Sequence, residues 1–127
     1  MGPRLNVRFP QSVWARQLNV EYGDTPQVEN HGGKVWILGM KVEGHPSALL
    51  NIGGILECYG LYAMVGGGEK PKSAFVENRE GWTAVPFRCG GQGNFRTKVK
   101  DTWQGVGKQE DTWQREFNLV ICGQPIE

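Results

Sequence analysis

Apolar and polar positions alternate along this chain in short runs, and clusters of glycine separate one run from the next. Between residues 13 and 22, Trp14, Leu18, Val20 and Tyr22 fall on one face, with Arg16 the exception, while Gln17, Asn19 and Glu21 take the other. A period of two over that length predicts a strand with one wet face. Residues 23–33 are polar and read as a long loop. Lys34–Glu43 is the next strand, with Trp36, Leu38, Met40 and Val42 in one row, and Gly44-His45-Pro46-Ser47 is a turn. Ile55–Val65 is nearly apolar on both faces, as expected of a central strand covered on each side, and Gly60 marks a bulge or a close backbone approach. Ala74–Glu77 is short. Trp82–Cys89 contains Pro86, which cannot donate to a ladder and so predicts an edge strand. Phe95–Gln104 and Trp113–Cys122 complete the set.

A close repeat joins these last two strands. Asp101-Thr102-Trp103-Gln104 returns as Asp111-Thr112-Trp113-Gln114, with Gly105-Val106-Gly107-Lys108-Gln109 between the copies. That spacing predicts a β-hairpin carrying a Trp on each arm. No window sustains an amphipathic helix, because Pro, Gly and β-branched residues interrupt each candidate. Seven to eight short strands with glycine-rich turns predict one all-β domain over residues 1–127. The expected architecture is an antiparallel β-sandwich, with a squat β-barrel as the alternative.

Composition narrows the function classes more than it selects one. The 39% hydrophobic and 21% charged content is that of a folded chain. A net charge of +1 gives no overall field for nucleic acid or an anionic membrane, so no nucleic-acid partner is expected. No apolar run reaches the roughly twenty residues of a transmembrane helix, and the first residues carry no signal-peptide pattern. Cys58, Cys89 and Cys122 lack CxxC spacing, which argues against zinc. Cys89 and Cys122 each end a predicted strand. They are either a disulfide pair, with Cys58 left as a buried thiol, or all three are reduced core cysteines.

Candidate chemistry is sparse. Ser12, Ser47 and Ser73 lie in no nucleophile motif. His31, beside Glu29 and before Gly32-Gly33, could act as a base in a small hydrolase that uses Glu21, Asp24 or Glu29. An exposed loop histidine is the commoner role. Gly66-Gly67-Gly68-Glu69-Lys70 lacks the spacing of a phosphate loop and is a turn. Arg96, Lys98 and Lys100 alternate along one strand and would form a basic stripe on a single face. The aromatic hairpin is the leading candidate. Trp103 and Trp113 could stack on sugar faces, and Asp101, Gln104, Asp111 and Gln114 could bond to hydroxyls. Against this, Trp103 continues the Phe95/Val99 face and Trp113 the Phe117/Leu119/Ile121 face, as core indoles would.

The residues Cys89-Gly90-Gly91, Phe95-Arg96-Thr97, Trp103-Gln104-Gly105 and Cys122 resemble the C-terminal half of small secreted bacterial β-sandwich proteins. The runs Gly54–Gly60 and Asn78-Arg79-Glu80-Gly81-Trp82 are similar to strand patterns in C2-like sandwich modules of secreted toxins. The resemblance implies a secreted or extracytoplasmic sandwich and favours a Cys89–Cys122 bridge; it supplies no catalytic residues. The expectation is a non-enzymatic module, without cofactor or metal, that recognises a glycan or cell-surface component. A protein-interaction module, such as a toxin accessory domain, an inhibitor or an assembly subunit, is the alternative, and a His31 hydrolase comes third.

Overall fold

The computed structural model describes residues 5–19, 26–44, 47–65, 74–91, 98–110 and 118–123. These residues are all-β, with eleven strands and no helix. In chain order they are β1 (Leu5–Arg8), β2 (Ser12–Asn19), β3 (Val28–His31), β4 (Lys34–Gly44), β5 (Leu49–Ile52), β6 (Ile55–Val65), β7 (Val76–Arg79), β8 (Trp82–Gly91), β9 (Val99–Trp103), β10 (Val106–Glu110) and β11 (Asn118–Cys122). They form two sheets. The first has the order β1-β3-β5-β7-β9-β10 and the second β11-β8-β6-β4-β2.

This is a β-solenoid, and it corrects the expected antiparallel sandwich. Each coil contributes one strand to each sheet, so successive coils stack their strands in parallel: β1 on β3, β3 on β5, β5 on β7 and β7 on β9 in the first sheet. The second sheet repeats this with β2 on β4, β4 on β6 and β6 on β8. Only the last two strands run antiparallel, β10 on β9 and β11 on β8. Short alternating strands suit either arrangement. The deciding signal is a repeat between coils.

That repeat is a corner. Asn30, Asn51 and Asn78 sit one above another in the first sheet, and Asp101 stands on the same column. All three asparagines are fully buried. The Asn30 amide donates to Asn51 Oδ1 at 2.9 Å, Asn51 to Asn78 Oδ1 at 3.2 Å, and Asn78 to Asp101 Oδ1 at 2.9 Å. Each amide also donates to the carbonyl three residues on, at Gly33, Gly54 or Gly81, which closes the turn into the next strand. Buried polar groups cost stability unless paired, and here every rung pairs its neighbours. The turn admits no side chain at its third position. A Cβ on Gly54 would lie 2.4 Å from both Asn30 Nδ2 and the Gly33 carbonyl oxygen. In the first coil Val7 holds the column's place, so the ladder begins at Asn30 and ends on a carboxylate.

Between the sheets lies one continuous core, with Val7, Val28, Leu49, Val76 and Val99 from the first sheet and Val35, Ile37, Leu56, Val85 and Phe87 from the second. Burying each of the larger side chains contributes about 1.5–3 kcal/mol. Phe75 and Phe87 pack with ring centroids 4.8 Å apart.

The second sheet changes phase halfway along. Gln17, Gly39 and Gly60 have φ of 54°, 87° and 80°. A Cβ on Gly39 would lie 3.6 Å from Gln17, and one on Gly60 3.5 Å from Gly39, so the three lie side by side. Inward positions are Val35 and Ile37 before Gly39, then Met40 and Val42 after it. The expectation of a bulge at Gly60 matches the register shift between Glu57 and Leu61. The expectation that Trp36, Leu38, Met40 and Val42 share a row is corrected, because the extra residue turns Trp36 and Leu38 outward. Ile55–Val65 is central in its sheet but is not covered on both faces, since Tyr59, Tyr62 and Met64 are exposed. Nor is β8 an edge. It lies between β6 and β11, and Pro86 falls where the ladder with β6 is interrupted, so its missing N–H costs little.

Candidate functional site

The phase change decides what the second sheet shows to solvent. Across β2, β4, β6, β8 and β11, one register row reads Trp14, Trp36, Glu57, Ala84 and Ile121. The adjacent row brings Arg16, Leu38 and Tyr59 together. Trp14 is 73% exposed, yet its ring stacks on Trp36 with centroids 5.1 Å apart and planes 13° from parallel. Glu57 is the hub: its Oε2 accepts from Trp36 Nε1 at 2.8 Å, and its Oε1 accepts from the Tyr59 hydroxyl at 3.0 Å. Desolvation, with the hydrogen bond and charge of Glu57 added, holds the Tyr59 phenol above its ordinary value, so it stays a neutral donor. Leu38, Leu119 and Ile121 are exposed on the same face. The result is an aromatic row, led by a stacked indole pair, with a carboxylate tied to its second indole and to Tyr59.

The predicted hairpin is present but is shorter than expected. Trp103 pairs with Val106, and the turn is the two residues Gln104 and Gly105, with φ of 48° and 80°. Positive φ at both central residues is what a tight turn between twisted strands requires. The Gln104 N–H donates to Glu80 Oε1 at 2.7 Å. Trp103 therefore faces Val106 across the turn. Trp113, Asp111 and Gln114 lie outside the described residues, as does Arg96.

Three predicted residues do meet. Among the described residues the first sheet has one strand more than the second, with β10 outermost beyond β9. Beneath it is an open cavity of about 300 Å³, lined by Asp101, Trp103, Gln104, Val106, Lys108 and Gly123. Asp101 Oδ1 accepts from Asn78, and its Oδ2 accepts from the Gly123 N–H at 3.1 Å. The Trp103 indole N–H is buried and meets no acceptor.

The remaining candidates are dispersed. Lys98 is buried at 6% exposure and precedes β9, while Lys100 is exposed on it, so these two do not form a stripe on one solvated face. Cys58, Cys89 and Cys122 are buried thiols outside any disulfide. The expected Cys89–Cys122 bridge is corrected by register. Cys122 stands opposite Thr83, six residues from Cys89 along β8, or roughly 20 Å; a disulfide needs Cα atoms within about 7 Å. Burial pushes the Cys58 thiol up to about 12, which makes it unreactive. His31 Nε2 lies 3.4 Å from Glu29 Oε2, a partly exposed pair on the outward face of the first sheet. Among the described residues no group of His, Cys, Asp or Glu could hold a metal ion, and no helix is long and apolar enough to cross a membrane. No family model, curated protein or solved structure matches this chain.

Proposed function

We propose that this protein is a non-enzymatic recognition module that binds a glycan on the outward face of its second sheet. One observation carries the reading: two stacked indoles, one of them largely exposed, share a sheet face with a carboxylate that orients the second indole and a tyrosine. Sugar rings present apolar C–H faces and a rim of hydroxyls. Flat aromatics stack on the faces, while Glu57 and Arg16 are placed to bond with the rim. Large exposed aromatic groups on a soluble surface signal contact with something else. A glycan-array screen tests the proposal. Binding that disappears in Trp14→Ala, with circular dichroism unchanged, supports it, and a blank array refutes it.

The alternative is a protein partner, favoured by the breadth of apolar surface at Leu38, Leu119 and Ile121 on the same face. A stable complex lost on Leu119→Asp, with glycan arrays blank, would replace the first reading with this one. For the hydrolase reading His31 and Glu29 are in contact, while Glu21 and Asp24 lie outside the described residues, and unchanged turnover in His31→Ala would end it. With the three thiols outside any disulfide, the extracytoplasmic setting rests on the glycan ligand alone.

A further inference from the structure

We infer that the outer edge of β2 joins a second copy of this chain, pairing antiparallel about Trp14 to form a two-fold dimer. The inference goes beyond the glycan reading and does not depend on it. Among the described residues β2 is outermost in its sheet, and the exposure of its side chains shows an open edge. Val13 and Ala15 pack against the core beside Val35 and Ile37, which have β2 on one side and β6 on the other. Val35 and Ile37 are fully buried, whereas Val13 and Ala15 are only half-buried. A strand lying on the far side of β2 would bury them equally. Trp36 covers one face of the Trp14 ring, yet Trp14 remains 73% exposed.

The backbone is set for such a partner. Lys34 is the ladder partner of Ser12, and its N–H donates to the Gln11 carbonyl at 3.0 Å. In a parallel ladder such a residue bonds to both neighbours of its partner, so Gln11, Val13 and Ala15 direct their N–H and C=O groups to β4. Those of Ser12, Trp14 and Arg16 point the other way, off the edge. Gln17, with φ of 54°, ends the run of strict alternation, and Trp14 is the centre of that run, Ser12–Arg16. A two-fold axis there lets the two Trp14 residues exchange both backbone hydrogen bonds, and lets Ser12 do the same with Arg16 of the second copy. Val13 then lies opposite Ala15 of the second copy, so core positions meet core positions and each open core end is covered. The two Trp14 side chains become cross-strand neighbours and continue the Trp36–Trp14 row across the axis.

Charge agrees with this register. Open edges are usually guarded by charge, proline or a bulge, and Arg16 is the single charge in Ser12–Arg16. It faces a serine across the axis and not another cation. Because one edge serves both copies, association closes at two and does not run on into a fibre.

The test is sedimentation equilibrium of the whole chain, with circular dichroism to confirm folding of each variant. A monomer–dimer equilibrium is expected, with a dissociation constant on the order of 100 µM, as suits a small interface. Ser12 is exposed and outside the aromatic row, so changing it leaves Trp14 in place. Ser12→Glu, which sets a carboxylate opposite Arg16 of the second copy, should tighten the dimer about fivefold, and Ser12→Lys should weaken it about fivefold. Ser12→Pro removes an N–H that serves only the second copy and should weaken the dimer at least about tenfold. Three results overturn the inference. One is a chain that stays monomeric up to about 1 mM, well above that constant. Another is assembly beyond two copies. The third is Ser12→Glu and Ser12→Lys moving the equilibrium the same way or not at all.

Discussion

The two sheets of this solenoid share one coil geometry and one core but show opposite outer faces. On the first sheet, charged side chains two residues apart pair along their own strand, Glu29 with His31 and Glu77 with Arg79 at 2.6 Å. The second has one such pair, Lys41 with Glu43, but ahead of its phase change Trp14, Trp36 and Tyr59 stand in the outward positions, and Glu57 is turned toward aromatic donors. Strand spacing, stacking and core composition are common to both, so the fold does not dictate the difference. A charged face is what solubility requires, and an aromatic face carries an aggregation cost. The comparison is the ground for proposing the second sheet as the binding face.

The largest effect should come from a change that harms both faces together. Asn51 donates to Gly54, Asn78, Trp82 and Thr83 and accepts from Asn30. Asn51→Ala is expected to cost about 3 kcal/mol or more in urea denaturation, because several buried groups lose partners at once. Alkaline pH probes the shared core as well. The Cys58 thiol rises from 9.0 to about 12 on folding, so the unfolded chain releases that proton first. The Cys58 contribution to stability should be constant below about pH 9 and decline as pH climbs toward 12, and Cys58→Ala should flatten the decline.

Smaller effects separate the faces. Trp14→Ala should lower glycan affinity about tenfold, near 1.4 kcal/mol, while shifting folding stability by less than about 1 kcal/mol. Glu57→Gln keeps the shape but weakens the two charge-assisted hydrogen bonds, and should reduce affinity by about threefold in calorimetric titration. Arg79→Ala, on the first sheet, should change stability by less than about 0.5 kcal/mol and binding not at all. If Arg79→Ala weakened binding while Trp14→Ala did not, the assignment of faces would be reversed.

The all-β class, most strand positions and the Gly60 bulge were legible in alternation and glycine placement. The solenoid was not. Its repeat is one column residue per coil, the buried Asn30, Asn51 and Asn78 and the half-buried Asp101, at unequal intervals along the chain. The signal was present in Val28-Glu29-Asn30 with Gly33 and Val76-Glu77-Asn78 with Gly81. The local Asp-Thr-Trp-Gln repeat is the stronger pattern in the sequence, and Asp101, the acid of its first copy, lies on the ladder. The aromatic face was missed for a different reason. Carrying strict period two through Gln17 and Gly39 placed Trp14 and Trp36 with core residues, whereas one positive-φ residue on each strand reverses the alternation. The cavity was half legible: Asp101, Trp103 and Gln104 were identified, but their gathering beside Val106, Lys108 and Gly123 depends on the solenoid order of the strands.

The most direct test of the central claim is an indole and amide shift map recorded with the best soluble glycan from the array. Movement of the Trp14 and Trp36 indole N–H signals, with the Val28–His31 and Val76–Arg79 amides unmoved, is the predicted result. Shifts on the first sheet with both indoles still would contradict it.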